Sequence, residues 1–562
     1  MARSDFVHLH THTEYSMLDG AASNEKLFAE VARQGMPAVA MTDHGNMFGA
    51  YEFFQISKKY DGDQNPLIKP IIGIEAYVAP STRKSRVQEF WGTSRDAGDP
   101  DAEGGKDVSG GGRYTHMTMW AKDAEGLHNL FRLSSLASYE GYYMKPRMDR
   151  ELMAQYPGGI IASTGCPSGE VQTRLRLGQF EEACQAASDY RDIFGRENYF
   201  CELMDHGVPI EKQVRSDLLK LAKKLDIPLL VTNDSHYVTE DQADAHDSLL
   251  CVGVGRNKDD PNRFRFNGSG YYIKSSEQMR ALFPDHPEAC DNTLLLTEMI
   301  GSYDEVFKYV DRMPQFDVPE GETQESWLRK KLQEGLDEKF GPNPPKEVLE
   351  RLETELSVIE PLGFSSYFLV VSDICNAARS MGVPVGPGRG SAAGSLVAYL
   401  TGIIAINPLE HGLLFERFLN PERVNPPDID LDFDDRQRDK VIDYVTHKYG
   451  AEYTSQVNTF GKIKAKAAVK DANRILGYPF ALGDKITKAM PPDVMGKGVP
   501  LDKIFDSSHE RYGEGQEFRQ LVADNPDVAK VVETAKGLEG LIRGTGVHAC
   551  AFILSSTPLL DL

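Results

Sequence analysis

Six short apolar runs between residues 36 and 237 each carry polar or chemically competent residues at an end. They are MPAVAMTDHG (36–45), KPIIGIEAYVAP (69–80), THMTMWAK (115–122), GIIASTGCPSG (159–169), NYFCELMDHG (198–207) and IPLLVTNDSHY (227–237). Their length and β-branched content mark them as strands. Amphipathic stretches such as NEKLFAEVARQG (24–35) and SDLLKLAKKLD (216–226) lie between them. Strand and helix patterns alternating from residue 1 to about 280 predict a parallel α/β domain, a barrel. Such folds gather their active groups at the C-terminal ends of the strands.

The chain is long enough for more than this one unit. Its 562 residues suffice for three or four domains. The longest apolar run, GSLVAYLTGIIAI (394–406), is too short and interrupted to span a bilayer. The first residues, MARSDFVHLH, lack the apolar core of a signal peptide. Seven cysteines are scattered without a C-x-x-C pair, which argues against a disulfide framework or a zinc finger. A cytoplasmic location is expected, with no membrane partner. Net charge is −22, so any contact with nucleic acid must come from local basic surface. Residues 91–113, rich in Gly and Asp, read as an exposed, mobile insertion, and 314–326 (PQFDVPEGETQES) as a linker.

The strand ends assemble a ligand-type set: His10, His12, Asp19, Asp43, His44, Glu75, His116, Cys166, His206, Asp234 and His236. Residues two apart on a strand share a face, so His8, His10 and His12 are expected to point one way, and Asp234 and His236 likewise. Imidazole, carboxylate and one thiolate are ligands for zinc or a mixed transition-metal centre. The set exceeds the needs of one tetrahedral ion and points to two or three ions close together. Clustered divalent ions serve phosphoester hydrolysis and lower the pKa of bound water to about 7.

HTHTEYSMLDG, TDHGNM, GIEAYV and TNDSHY resemble the polymerase and histidinol phosphatase (PHP) domain that opens bacterial replicative DNA polymerases of the polymerase III alpha family. The likeness covers essentially the whole chain and is nearest the actinobacterial type. The resemblance implies three metals, Zn²⁺ or Mn²⁺/Fe-type ions. They would be held by His10, His12, Asp19, His44, Glu75, His116, Cys166, Asp234 and His236. His8 is expected to support these ligands from behind; the resemblance leaves His206 open.

A second constellation lies downstream. VGPGRGSAAGSLVAYL (385–400) is a glycine-rich turn feeding a helix, whose free backbone N–H groups suit an anion. Arg389 adds a cationic fork. PPDIDLDFDD (426–435), as a strand, puts Asp428, Asp430, Asp432 and Asp434 on one face and Ile429, Leu431 and Phe433 on the other. A row of carboxylates repels itself unless cations sit between them. An anion loop before a D-x-D strand fits metal-assisted nucleotidyl transfer. GRGS resembles the triphosphate motif of the polymerase III alpha palm, shared with polymerase-beta-like nucleotidyltransferases. The resemblance assigns Gly390 and Ser391 to the triphosphate, beside Arg389; Asp428 and Asp430 to two Mg²⁺; and Arg417 to the active site. Asp432 and Asp434 are left as neighbours that tune it.

In TFGKIKAKAAVKDANRILGYP, Lys462, Lys466, Lys470 and Arg474 recur every four residues, one face of a helix that can contact DNA phosphates. The resemblance makes this stretch the start of the thumb. The expected order is a PHP-type distorted β/α barrel at 1–284, a polymerase-beta-like α+β palm at 285–459, a helical thumb at 460–536, and a return to the palm at 537–562, ending before the fingers. Expected activities are template-directed DNA synthesis and 3′–5′ exonuclease. Expected partners are primer-template DNA, deoxynucleoside triphosphates, and the sliding clamp and other replisome subunits through regions outside these residues. The family's third catalytic aspartate would follow Leu562, so these 562 residues are expected not to polymerise. Two alternatives are a free PHP phosphatase, for which GRGS and D-x-D have no use, and a PHP domain that holds metal only as a scaffold, which would not require the full ligand set.

Overall fold

The computed structural model describes residues 5–92, 107–420 and 427–562. Of the insertion read at 91–113, residues 93–106 lie outside the described residues. The rest form two compact units: Met1–Lys308 with Thr459–Gly546, and Tyr309–Asn458 with Val547–Leu562.

The first unit is built on a curled sheet. Its strands are β1 (Ala38–His44), β2 (Lys69–Val78), β3 (Thr115–Ala121), β4 (Arg147–Met148), β5 (Ile160–Ser163), β6 (Tyr199–Leu203) and β7 (Leu229–Val231). Their order is β1-β2-β3-β5-β6-β7, with β4 beside β2. β5 and β6 are buried at every position, and β1 at all but its last. Strands with both faces covered read as continuous apolar runs, which is why these segments lack alternation. Helices supply the cover; Asn24–Arg33 buries Leu27, Phe28 and Val31 on one stripe.

The all-parallel reading needs correction. β1–β2, β5–β6 and β6–β7 pair in parallel, but β3 runs antiparallel to both β2 and β5. Periodicity marks a run as a strand without giving its direction. The reversal has a functional result. His116 is the second residue of β3 and pairs opposite Tyr77 near the end of β2. The start of β3 therefore meets the rim where its parallel neighbours end.

Residues 8–13 are not a regular strand; only Thr11 and Thr13 make bridges. The His8 and Thr11 carbonyls accept from Ala40 and Thr42 (3.0 and 2.8 Å), while His10 and His12 bond to Ser235 (3.1 and 2.7 Å). This segment thus ties β1 to the stretch after β7 and curls the sheet.

A second core in the same unit joins the helix Ala465–Ile475 to Pro526–Leu538 and to Ala243–Val254. Ala468, Val469, Ala472 and Ile475 pack with Val531, Val532, Leu249 and Cys251. The second unit is helical around Gln324–Phe340, Lys346–Ile359 and Ser365–Ser380. The strands β8 (Thr454–Lys462) and β9 (Ile542–Leu554) pair with each other. Among the described residues no helix is long and apolar enough to cross a membrane.

Candidate functional site

His44 ends β1, Glu75 lies late in β2, and Cys166, Asp234 and His236 follow β5 and β7. These, with His10, His12, Asp19 and His116, converge at one rim. Three groups have ligand atoms close enough to share an ion: His12, His44 and His236; His10, His12 and Asp234; His44, Glu75 and His116. Asp19 Oδ2 lies 2.8 Å from His44 Nε2 and 3.7 Å from His236 Nε2. Cys166 Sγ lies 3.6 Å from His116 Nδ1. Asp234 Oδ1 is 3.1 Å from His12 Nε2 and 3.4 Å from His10 Nε2.

Seven buried atoms of this set make no hydrogen bond: His10 Nε2, His12 Nε2, Asp19 Oδ1, His44 Nδ1, Glu75 Oε2, Asp234 Oδ1 and His236 Nε2. His44 Nδ1 lies only 2.7 Å from Glu75 Oε2, yet out of hydrogen-bonding direction. Several of these atoms face one another as ion pairs without hydrogen-bond geometry, and a buried polar atom left without a partner costs about 1–3 kcal/mol. Cations at the three groups would meet the six that belong to them, and Asp19 stands beside His44 and His236, so the donor set fits divalent metal.

The rings and carboxylates also perturb one another. Burial disfavours a charged His10, but Asp234, Glu202 and Glu75 outweigh it and raise its pKa well above the ordinary value. Against the same burial, Glu75 and Asp19 lift His44 to about 10. Burial would raise the Asp19 and Glu75 carboxyls, yet the neighbouring histidines hold both well below the usual range. Protons on the rings and divalent cations are alternative partners for these carboxylates, so metal uptake displaces protons.

A supporting layer fixes the rings. Glu202, fully buried on β6, accepts from His10 Nδ1 at 2.6 Å and from Thr232 Oγ1 at 2.6 Å; Thr118 and Ser163 donate to its other oxygen. Asp43 accepts from Thr13 N and from Ser16 Oγ, which sits 2.8 Å from His12 Nδ1. Both rings thus turn Nε2 toward the cluster. Asp234 holds a left-handed backbone, φ +42°, uncommon outside glycine.

One expectation changes here, one open residue finds its partners, and one residue of the site was not singled out in the sequence. His8 does not support the ligands: its Nε2 bonds to the Lys274 carbonyl at 2.9 Å, while His10 and His12 keep to the cluster side. His206 uses both nitrogens, Nδ1 with Glu211 (2.6 Å) and Nε2 with the Asn233 carbonyl (2.9 Å), and so braces the residue before Asp234. Glu202 escaped notice, although a carboxylate inside the apolar run NYFCEL was a usable signal.

In the second unit Asp428–Asp434 form no strand; only Phe433 bridges, to Val385. Pro426, which opens the stretch, lies outside the described residues. The alternation still holds. Asp428, Asp430 and Asp432 are exposed, while Ile429 and Leu431 pack on the core. Around the Val385–Phe433 bridge Gly386 N donates to Asp432 O (2.8 Å) and Asp434 N to Pro384 O (3.2 Å), a pairing too short to make a ladder. The Ile429 N–H donates to the Tyr367 hydroxyl (3.2 Å). Arg389 binds Asp430 at 2.8 Å and Asp432 at 3.2 Å, while Asp434 pairs with Arg436. Gly390 and Ser391 open a 3₁₀ turn, Gly390–Gly394, and are exposed. The next helix start, Leu396–Leu400, does not offer free N–H groups: Leu396 N and Val397 N donate to the buried Glu355 carboxylate. Arg417 lies exposed on the turn Phe415–Arg417 and pairs with none of the aspartates.

The basic stripe is also divided. Lys462 ends β8, outside the helix Ala465–Ile475, because Ile463 bonds to Leu541 and Gly540. Lys466, Lys470 and Arg474 are on the helix. Lys462 and Lys466 pair with Glu14 and Asp493, and Arg474 with Asp471.

A ring of His, Asp, Glu and Cys at the rim of a curled α/β sheet is the site of a PHP-type metal-binding domain, and residues 8–206 match the PHP domain family. Residues 326–562 match the bacterial DNA polymerase III alpha NTPase domain. The chain belongs to the bacterial DNA polymerase III alpha family. It is 57% identical over 558 residues to the DNA polymerase III subunit alpha of Saccharopolyspora erythraea, covering 99% of this chain and 46% of that one. Identity to the Mycobacterium tuberculosis H37Rv subunit is 56% over 564 residues, covering 100% and 46%. For Thermus aquaticus it is 38% over 621 residues, covering 99% and 48%. The chain spans about half the length of the curated relatives it matches.

Proposed function

We propose that the rim cluster is a metal-dependent 3′–5′ exonuclease centre and that the acidic segment belongs to a two-metal nucleotidyl-transfer site for DNA synthesis. The observation that carries the first reading is the set of seven unsatisfied, inward-facing atoms on seven side chains. His10, His12, Asp19, His44, Glu75, His116, Cys166, Asp234 and His236 would hold up to three Zn²⁺, Mn²⁺ or Fe-type ions. When bound, such ions stabilise charge on a phosphoryl group and activate water. The chain's own residues set the stage. Glu202 and the Asp43–Ser16 pair keep the Nδ1 protons of His10 and His12, leaving Nε2 free as a ligand. His206 anchors the Asn233 carbonyl and so steadies Asp234.

In the palm, Asp428 and Asp430 would hold Mg²⁺, and Gly390, Ser391 and Arg389 the triphosphate, with Arg417 beside them. Arg389 now neutralises Asp430 and Asp432; cation binding there would release its fork for phosphate. Thumb contact with primer-template DNA would run through Lys462, Lys466, Lys470 and Arg474. Clamp and other replisome subunits are expected partners of the whole subunit. The domain limits given above, 1–284, 285–459, 460–536 and 537–562, remain our assignment.

The test joins metal analysis to excision of a mispaired 3′ primer end. Asp19→Asn and Asp234→Asn should each lose metal and abolish excision while unfolding stays cooperative. Undiminished excision in both, with contaminating nucleases excluded, would refute the reading. A polypeptide of these 562 residues should not extend a primer with Mg²⁺ and four deoxynucleotides. Extension that disappears in Asp430→Asn would show that Asp432 or Asp434 completes the site.

A further inference from the structure

The cavity beside the ligand cluster has two unlike walls. It encloses 480 Å³, room for a small ligand or one nucleotide and not for a duplex. One wall is the cluster itself. The other is aromatic, made by Phe264, Phe266 and Tyr271. Phe266 stands edge-on to His236 at 4.6 Å and lies 4.6 Å from Tyr271. Phe264 meets Phe266 edge-on at 5.7 Å and makes no ring contact with a ligand residue among the described residues. Keeping the ligands dry would require Phe266. It gives no role to Phe264, half-buried one ring further out.

Among the described lining residues one Lys or Arg faces this cavity, Lys145. It is exposed, with Nζ 5.2 Å from the centre of the Tyr77 ring, which in turn stacks on His44. Four carboxylates line the same cavity: Asp19, Glu75, Glu211 and Asp234. Lys145 pairs with none of them, nor with any other acid among the described residues. An unpaired lysine at the mouth of an acidic cavity, in a chain of charge −22, is placed for an incoming anion.

We infer that this cavity receives the terminal nucleotide of a single strand, its base against Phe264 and Phe266 and its phosphate between the cluster and Lys145. The inference rests on the reading of the cluster as a phosphodiesterase centre. Stacking accepts every base, and a lysine point charge holds phosphate without regard to sequence. Recognition is therefore of an unpaired end, not of a base identity.

The 562-residue chain loaded with Mn²⁺ provides the test. It is given a 5′-labelled single strand ending in thymidine or in an abasic tetrahydrofuran residue. A second strand ends in 2-aminopurine behind a cleavage-resistant phosphorothioate, so that stacking is read as fluorescence loss. The abasic end should raise KM between about 5- and 150-fold, the range of one lost stack. Phe264→Leu should lose the fluorescence quench and treat both ends alike, and Phe264→Tyr should restore the difference. Lys145→Gln should raise KM and lower the salt slope by about 0.7, one single-strand phosphate contact, with Lys145→Arg restoring both. Metal content should be unchanged in all four variants. Equal KM for both ends, with a quench that survives Phe264→Leu, overturns the inference. Failure of the unsubstituted chain to cleave either strand overturns the phosphodiesterase reading instead, and the 2-aminopurine signal still decides the aromatic wall.

Discussion

Replacing Glu202 with Gln separates charge from shape at the His10 ring. The carboxylate is fully buried and receives four donors: His10 Nδ1, Thr232, Thr118 and Ser163. Gln keeps the volume, and the three hydroxyls can rotate to suit an amide. What disappears is the negative charge 2.6 Å behind His10. Loss of a partner of this kind weakens metal affinity about 10- to 100-fold, or about 1.4–2.7 kcal/mol. Only an ion that uses His10 should feel it. A chelator-competition titration with Zn²⁺ should therefore show one weakened step and the remaining steps unmoved. Glu202→Ala is the contrasting case. It strands His10 Nδ1 and three hydroxyls in a dry interior and should destabilise the metal-free chain by about 3–5 kcal/mol in urea unfolding. Unaltered affinity at every step in the Gln variant, or an Ala variant as stable as the original, would refute the reasoning.

Lys462→Gln, Lys466→Gln and Lys470→Gln combined should weaken duplex binding and flatten its salt slope by about 0.9 per lost phosphate contact; an unchanged slope would mean that these lysines make no phosphate contact. Glu355→Ala leaves Arg351 and the N–H groups of Leu396 and Val397 without their buried acceptor, and should cost about 3–5 kcal/mol, measured by denaturant unfolding. Burial pushes the Lys274 ammonium down to about 8. A lysine with a depressed folded pKa burdens the fold below that value and not above its unfolded one. Stability relative to Lys274→Met should therefore fall by up to about 3 kcal/mol as pH drops from about 10.5 to 8, and a pH-independent difference between the two proteins would exclude this.

The rim residues could be picked out because H-x-H, D-H-G and N-D-S-H are local patterns that survive without knowledge of the fold, and the family resemblance narrowed them to nine candidate ligands. Glu202 could not, since its meaning depends on His10, 192 residues away. The direction of β3 was hidden for a related reason: alternation and apolarity are unchanged when a strand is reversed. Lys462 shows the limit of counting by fours. The spacing continues across Ile463 and Lys464, but pairing of Ile463 with Leu541 keeps the helix from starting before Ala465. The acidic segment kept its two faces and lost its strand, because burial of Ile429 and Leu431 is set by composition while a ladder needs a neighbour that composition does not specify.

The tie made by residues 8–13 has a consequence for the order of synthesis. His10 and Asp234 meet across 224 residues of chain, so the H-x-H pair leaves the ribosome long before its last carboxylate partner exists. Two bare imidazoles on a nascent segment bind zinc weakly and without selectivity. The selective centre appears only when β7 and the stretch beyond it have been made and laid against β1. Were metal bound there, its full ligand set would be available only late, after the sheet is complete, too late to template it. A strand edge at β1 must meanwhile wait uncovered for its irregular neighbour to be pinned by Ser235, which makes this the interval in which the growing chain most needs protection from pairing elsewhere.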